Sequence, residues 1–450
     1  MRKRVLQSGL IALGLFWLTS AGVLVAPAEE TISFRRDVAP ILVDNCLPCH
    51  GAKKAESGYR VDTYERLMAE GDSGAAGFVP KDTDGSEAFR RMVSDDPAER
   101  MPWEADPLPP EKIEIVRRWI EQGARYDGED PKALLTSIIP PPVYPKGPEK
   151  YAFPVPVTAL AWNADGNELY SSGYHEICVW NPVDGALLRR IENVPQRTMA
   201  LALSPDGQLL AVGGGSPGRL GEVRIYETGS GQLERVLVST TDVVLDVAFS
   251  PKGDRLAVAG ADNILRIIEV ATGKEILTIT SHSDWVTAVA WNQDGTQLAS
   301  ASRDKTAKVF DVEKGELLVT YSGHNQPVRG VAFHPDGKQV YSSGADNKIH
   351  RWNIADGKKA AEASLGGEVY RLVVCGDMLV ATSADRTARL YKLDNLEQIR
   401  SLSGHGDWVL SAAAHSASRR LATGAFNGEV RVWNLDNGEL VKSFVASPGL

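Results

Sequence analysis

The stretch "DNCLPCHG" (residues 44–51) sets Cys46 and Cys49 three positions apart, with His50 directly after. Such a thiol pair can clamp zinc, cycle between dithiol and disulfide, or hold a haem through its vinyl groups while the imidazole reaches the iron. Structural zinc needs four N or S ligands, usually from a second Cys or His pair nearby. No Cys and no other His falls between 51 and 174. A thioredoxin-like dithiol opens a helix that follows a strand. Here Phe34, Val38, Ile41 and Leu42 recur at helical spacing and run into Cys46, so the motif ends a helix. One covalent haem c fits best, attached at Cys46 and Cys49 and ligated by His50.

A second iron ligand is then expected. The ordinary fate of a lone Met is core filling, and Met68 and Met92 lie in short helical runs that suit it. Met101 sits instead in the polar, Pro-rich stretch "ERMPWEADPLPP", where core filler is out of place. His50 and Met101 as the two axial ligands favour reduced iron and electron transfer over open binding of O₂. The elements that must position these residues are few. One helix leads into Cys46. Another, "LPPEKIEIVRRWIEQGARYDG", opens with Pro110 and Glu111, and places Ile113, Val116, Ile120 and Ala124 on one face beside Ile115 and Trp119. About 60 residues with little apolar period lie between. A loop-rich segment of that length needs a group to wrap around, and a prosthetic group supplies one.

Residues 32–128 resemble the cytochrome c domain characteristic of planctomycete bacteria, a class I-like fold. The likeness rests on "SFRRDVAPILVDNCLPCHG", "GYRVDTYERLMAEGDSG", "RMP" and "RRWIEQGARYDG". It implies a small all-α domain over 29–130 and carries the axial roles over to His50 and Met101. The family usually shows a second Pro after Met-Pro, where this chain has Trp103.

The Pro-rich stretch 131–150 reads as an extended, semi-rigid linker. From 151 to 450 one unit recurs. Its third segment closes on Trp180, Tyr226, Ile268, Phe310, Trp352, Tyr391 and Trp433, at a period near 42 residues. Asp165-Gly166, Asp206-Gly207, Asp294-Gly295 and Asp336-Gly337 mark turns between first and second strands. Four short strands per unit and seven units predict an all-β, seven-bladed propeller. Because the repeats begin at a first strand and end after a fourth, the ring should close by packing, without a strand exchanged between the termini.

The unit is similar to the WD40 repeat, in which a His, a Ser or Thr, an Asp and a Trp form a stiffening network. That resemblance implies the set His324, Ser342, Asp346 and Trp352. A second set is His282, Ser300 and Asp304, with Phe310 for Trp. A third is His405, Thr423 and Trp433, with Asn427 for Asp. These histidines are read as structural. Trp285 and Trp408 are expected near the propeller mouth.

Catalytic motifs are missing from the propeller. "GGGSPGRLGE" (213–222) lacks the G-K-[ST] of a phosphate loop and reads as a flexible contact loop. His175, His334, His350 and His415 fall at unlike positions in their blades and cannot converge on a metal. No hydrolase or zincin motif occurs, nor a second C-x-x-C-H. Cys178 and Cys375 sit in strand-like runs of different units and read as small buried hydrophobes. A net charge of −9 without basic clusters argues against nucleic acid.

At the N-terminus, "MRKR", the apolar run 9–25 and "APA" (26–28) form a signal peptide over 1–28 or, uncleaved, a membrane anchor. Either places the rest outside the cytoplasm, in the periplasm or cell envelope. The expected function is electron transfer by an exported cytochrome. Its propeller would dock protein partners, among them a redox partner. The alternatives are a redox enzyme whose propeller binds a small substrate, and a haem-based redox-sensing scaffold.

Overall fold

The computed structural model describes residues 31–52 and 54–450. The segment read as a signal peptide or anchor lies outside the described residues. The chain divides into two compact units, Met1–Pro141 and Pro142–Leu450.

The described part of the first unit holds five short helices: α1 (Ala39–Asn45), α2 (Tyr64–Leu67), α3 (Glu87–Met92), α4 (Pro110–Glu121) and α5 (Leu135–Ile138). A π-helical turn, Phe34–Val38, leads into α1, and Ser33 caps it by accepting from the Arg36 N–H. Pro40 at the start of α1 costs no helical hydrogen bond there. Helix α4 buries Val116, Trp119 and Ile120, one face of the expected helix. Phe34 packs against Trp119 at 5.3 Å and Tyr64 at 5.1 Å between ring centres, with Val38, Leu42, Leu67 and Phe78 closing the core. The connections are longer than the helices, as the weak apolar period implies.

The second unit is seven four-stranded antiparallel sheets, each built from four consecutive strands, β1–β4 through β25–β28. This is a seven-bladed propeller. Burial falls outward across a blade. In the fourth blade β14 (Gln297–Ser302) and β15 (Ala307–Asp311) are almost wholly buried, while β16 (Glu316–Tyr321) is largely exposed. The Asp-Gly turns follow first strands; Gly207 and Gly295 hold φ of +71° and +74°, which side-chain-bearing residues resist. Across the central channel Arg371 of β21 (Val369–Cys375) reaches Asp246 of β9 (Val244–Phe249) at 2.9 Å.

The ring closes without strand exchange. Residues 140–155 form no strand of the last blade. Closure comes from a shared apolar cluster, in which Val157, Leu160 and Trp162 meet Ala422, Val430 and Val432. Bonds such as Tyr151 N–H to the Pro448 carbonyl (3.0 Å) add to it.

Two stretches take forms the sequence pattern does not convey. The Gly-rich run 213–222, read as a flexible loop, is the end of a long hairpin between β6 (Leu209–Ser216) and β7 (Leu220–Glu227). Two of its glycines answer close backbone approach: a Cβ on Gly214 would lie 2.1 Å from the Arg197 carbonyl oxygen, and one on Gly221 2.1 Å from that of Asp242. The Pro-rich stretch 131–150 is divided between the units. Leu135 and Ile138 are buried in the first unit's core. In the second, the buried Arg224 donates to the Pro142 carbonyl (2.6 Å) and to Glu222 (2.8 Å), and Tyr144 donates to Glu222 (3.0 Å). A buried guanidinium requires such a full set of acceptors.

Candidate functional site

Cys46 follows the last residue of α1, and its N–H donates to the Leu42 carbonyl, so the motif leaves the helix as a tight turn. The His50 N–H donates back to the Cys46 carbonyl at 2.9 Å. The chain then doubles over: the Val61 N–H donates to the His50 carbonyl at 2.8 Å, while His50 Nδ1 lies 3.2 Å from the Tyr59 carbonyl oxygen. A carbonyl only accepts, so Nδ1 carries the proton. Nε2 is left with a lone pair and has no hydrogen-bond partner among the described residues. That is the arrangement of a metal-ligating imidazole, whose other nitrogen is tied to a carbonyl or carboxylate.

Cys46, His50 and Met101 line one cavity of ≈ 350 Å³, with Leu42, Tyr59, Phe78 and Met92 among its apolar walls. This is within the range of ligand pockets, roughly 300–1,000 Å³. Met101 belongs to a loop pinned to α3, since its N–H donates to the Arg91 carbonyl at 2.9 Å. Met92, assigned to the core from sequence, is buried and is also part of the cavity wall. Met68 packs against the core and is not among the lining residues. Cys49 is exposed and, unlike its neighbour His50, is not among the lining residues.

The donor set discriminates among the three chemistries. Among the described residues no three His, Cys, Asp or Glu side chains converge as a metal site, so structural zinc has no ligand set. Burial, with the charge of Cys49, pushes the Cys46 thiol up to about 12, whereas redox dithiols rely on a lowered thiol pKa. The Cys46 thiol, an imidazole with an unpartnered nitrogen and a thioether lining one apolar cavity, with the Cys49 thiol exposed next to His50 in sequence, suit haem, whose porphyrin brings its own four nitrogens.

Sequence reasoning did not single out Tyr59, Phe78 or Gly77, which shape this cavity. They come from the segment without apolar period and meet the motif only through the fold.

In the propeller, two of the three expected histidine sets form as read, and the third forms with a different acid. His324 Nδ1 lies 2.9 Å from Asp346 and Nε2 2.9 Å from Ser342 Oγ, which also accepts from Trp352 Nε1 at 3.1 Å. His282 meets Asp304 at 2.8 Å and Ser300 at 2.7 Å. In the last blade the third member differs from the expected one. His405 pairs with Glu429 at 3.1 Å and Thr423 at 2.7 Å, and Asn427 only accepts from the Glu429 N–H. Asn427 sits in the tight turn before β27 (Glu429–Asn434), and the longer Glu429 side chain reaches the imidazole from the strand. Burial lowers the pKa of all three histidines, that of His405 to about 4.

Of the remaining histidines, His175 meets the Val194 carbonyl and His415 the Ala164 carbonyl and Ser418. His334 pairs with Asp336, and His350 stacks on His324 at 4.1 Å and meets Tyr321. Cys178 and Cys375 are buried free thiols. Trp285 and Trp408 lie in turns that enter first strands and are partly exposed, the former under Arg303 at 4.7 Å and the latter beside Phe426 at 5.8 Å.

Fold and site together define a seven-bladed propeller built of WD40-like repeats, preceded in sequence by a cytochrome c-like segment. More particularly, residues 46–104 match the family described as Planctomycete cytochrome C. The WD domain, G-beta repeat family matches at 150–181, 273–311, 315–353 and 396–434, and the Anaphase-promoting complex subunit 4 WD40 domain at 237–289. The chain is also similar to human Apoptotic protease-activating factor 1, at 39% identity over 93 residues, and to the rat protein of that name, at 31% over 93. Those matches cover 20% of this chain and only 8% and 7% of the curated relatives. A redox segment joined to a protein-interaction fold is the role these features indicate.

Proposed function

We propose that this chain is an exported c-type cytochrome that carries one covalent haem for electron transfer, with the propeller as a docking platform for protein partners. The observation that carries the reading is the convergence of Cys46, His50 and Met101 on one cavity, with His50 Nε2 open. Cys46 and Cys49 would hold the haem by thioether bonds, and His50 and Met101 would ligate its iron. The bound haem would supply a one-electron couple, its potential raised by the thioether ligand. The chain's own part is to fix the imidazole through Nδ1, to hold Met101 against α3, and to exclude water with Leu42, Phe78 and Met92. Export is supported by the basic, apolar and small-residue order of residues 1–28.

Expression in a host that matures c-type cytochromes tests this directly. Haem should stay with the polypeptide through denaturing electrophoresis and be lost in Cys46→Ala/Cys49→Ala. Met101→Ala should abolish a low-spin His/Met spectrum. A haem-free product from such a host would sink the reading.

A further inference from the structure

Strand pairing aligns the first strands of the blades and shows where the central channel departs from the repeat. Four blades place Ala200, Ala288, Gly330 and Ser411 at one level. At that level β9 carries Asp246 and β21 carries Arg371. Two residues further on, Ala202, Ala248, Ala290, Ala332 and Ala413 stand level with Val373. Small side chains at both levels leave space around the one long, charged side chain.

Arg371 is held at one edge only. Its Nη1 donates to Asp246 at 2.9 Å, and its main-chain N–H donates to Thr382 Oγ1 at 3.1 Å. Asp246 is buried and also accepts from the Val289 N–H at 3.0 Å, which fixes the carboxylate that orients the guanidinium. Nε and Nη2 have no hydrogen-bond partner among the described residues, and the side chain stays 37% exposed. A mere strut across the channel would not need an open edge.

That side chain lines two recesses, of ≈ 350 and ≈ 450 Å³, at the mouth where the first strands end. Leu203 belongs to both, Trp162 to the first, and Phe249 and Trp291 to the second. Both indole N–H groups are spent, Trp162 Nε1 on the Ala413 carbonyl and Trp291 Nε1 on the Ala248 carbonyl, each at 2.9 Å. The rings therefore offer apolar surface.

We propose that the recesses around Arg371 bind a carboxylate carried on an apolar body. A planar guanidinium with a free edge matches a carboxylate in two parallel hydrogen bonds. Apolar walls with a few fixed polar groups are the usual make-up of a ligand pocket. Asp246 cancels part of the Arg371 charge, which favours an anion of one charge over a phosphate dianion. A free small acid and the C-terminal residue of a polypeptide both present this chemistry. The site lies wholly in the propeller, so it stands or falls apart from the cytochrome reading.

The test is calorimetric titration of the full chain with 3-phenylpropionate, its uncharged amide and inorganic phosphate. The acid should bind in preference to both others. Arg371→Gln should weaken that binding about 10–100-fold, the worth of hydrogen bonds to a charged group. Ala202→Leu keeps every charged group but fills space in both recesses, and should abolish binding in folded protein. An N-acetylated dipeptide ending in phenylalanine separates the two sources. Tighter binding than the free acid assigns the site to a polypeptide terminus, and weaker binding assigns it to a small acid. If Arg371 is merely structural, Arg371→Gln will lower the unfolding midpoint while the wild type shows no preference for acid over amide. That result, or wild-type affinity for the acid in folded Arg371→Gln, would overturn the proposal.

Discussion

The histidines of the two units are used in opposite ways. In the propeller, His282, His324 and His405 each spend both ring nitrogens on partners within one blade. In the first unit, His50 lines a cavity, spends one nitrogen on a main-chain carbonyl and leaves the other without a hydrogen-bond partner among the described residues. The first arrangement is closed and yields rigidity, because every buried polar atom is satisfied. The second is incomplete by itself and yields a ligand. Partner count alone does not mark a ligand, since His175 of the propeller also meets a single main-chain carbonyl; what sets His50 apart is the apolar cavity it lines together with Cys46 and Met101.

Acid should break the contrast most strongly. Burial holds His405 at about 4, and burial with the neighbouring charge of His324 holds His350 there too. Unfolded, each titrates near 6.5. Between pH 6.5 and 4 the unfolded chain therefore binds protons that the native propeller refuses, so stability falls with falling pH across that window and is fully present above it. Each group contributes up to about 3 kcal/mol. Below pH 4 a second loss begins. Although burial pushes Asp304 up, hydrogen bonds from Thr306 and His282 hold it at about 2. Urea midpoints should hold level above pH 6.5 and decline from there to pH 4, and a flat profile across that window would refute the closed-network account.

Exchanging the damage between the units sharpens the comparison. His324→Ala removes the imidazole that joins Asp346 to Ser342 and opens a cavity in a buried site, and should cost the propeller about 2–4 kcal/mol. It should leave a haem spectrum unchanged. His50→Ala should do the reverse, removing the low-spin spectrum while the propeller's denaturation midpoint stays within error. Equal sensitivity of both readouts to both variants would erase the distinction.

These features were unequally legible in the sequence. The propeller was readable because seven copies repeat the same turn and strand signals, so a degenerate unit borrows meaning from its neighbours. The ligand candidates Cys46, Cys49, His50 and Met101 were readable because their chemistry is local: a motif, and a Met in a place where Met does not belong. Tyr59 and Gly77 were not, because their pairing spans 18 residues of irregular chain and depends on a contact no period encodes. The hairpin at 213–222 misled for a related reason. Glycine there answers the approach of a neighbouring backbone, which composition alone cannot tell from looseness.

The last blade offers the smallest and most discriminating test. Alignment of the repeats places Asn427 where Asp304 and Asp346 sit, yet Glu429, two residues on, meets His405, Arg431 and Ser443. The substitution works because residue 429 begins the strand that faces the imidazole, and one extra methylene spans the added distance. Glu429→Ala should then cost about 1–2 kcal/mol, the penalty for leaving His405 and the Arg431 charge without their acceptor. Asn427→Ala removes a turn contact to the Glu429 N–H and should cost no more than about 0.5 kcal/mol. In a double variant, Asn427→Asp with Glu429→Ala, the aspartate would occupy the position used by the other two blades and should recover part of the loss. Recovery would show that the carboxylate moved along the strand while the histidine's requirement for it stayed the same. If instead Asn427→Ala costs more than Glu429→Ala, the network of this blade is wired as the repeat pattern alone suggests.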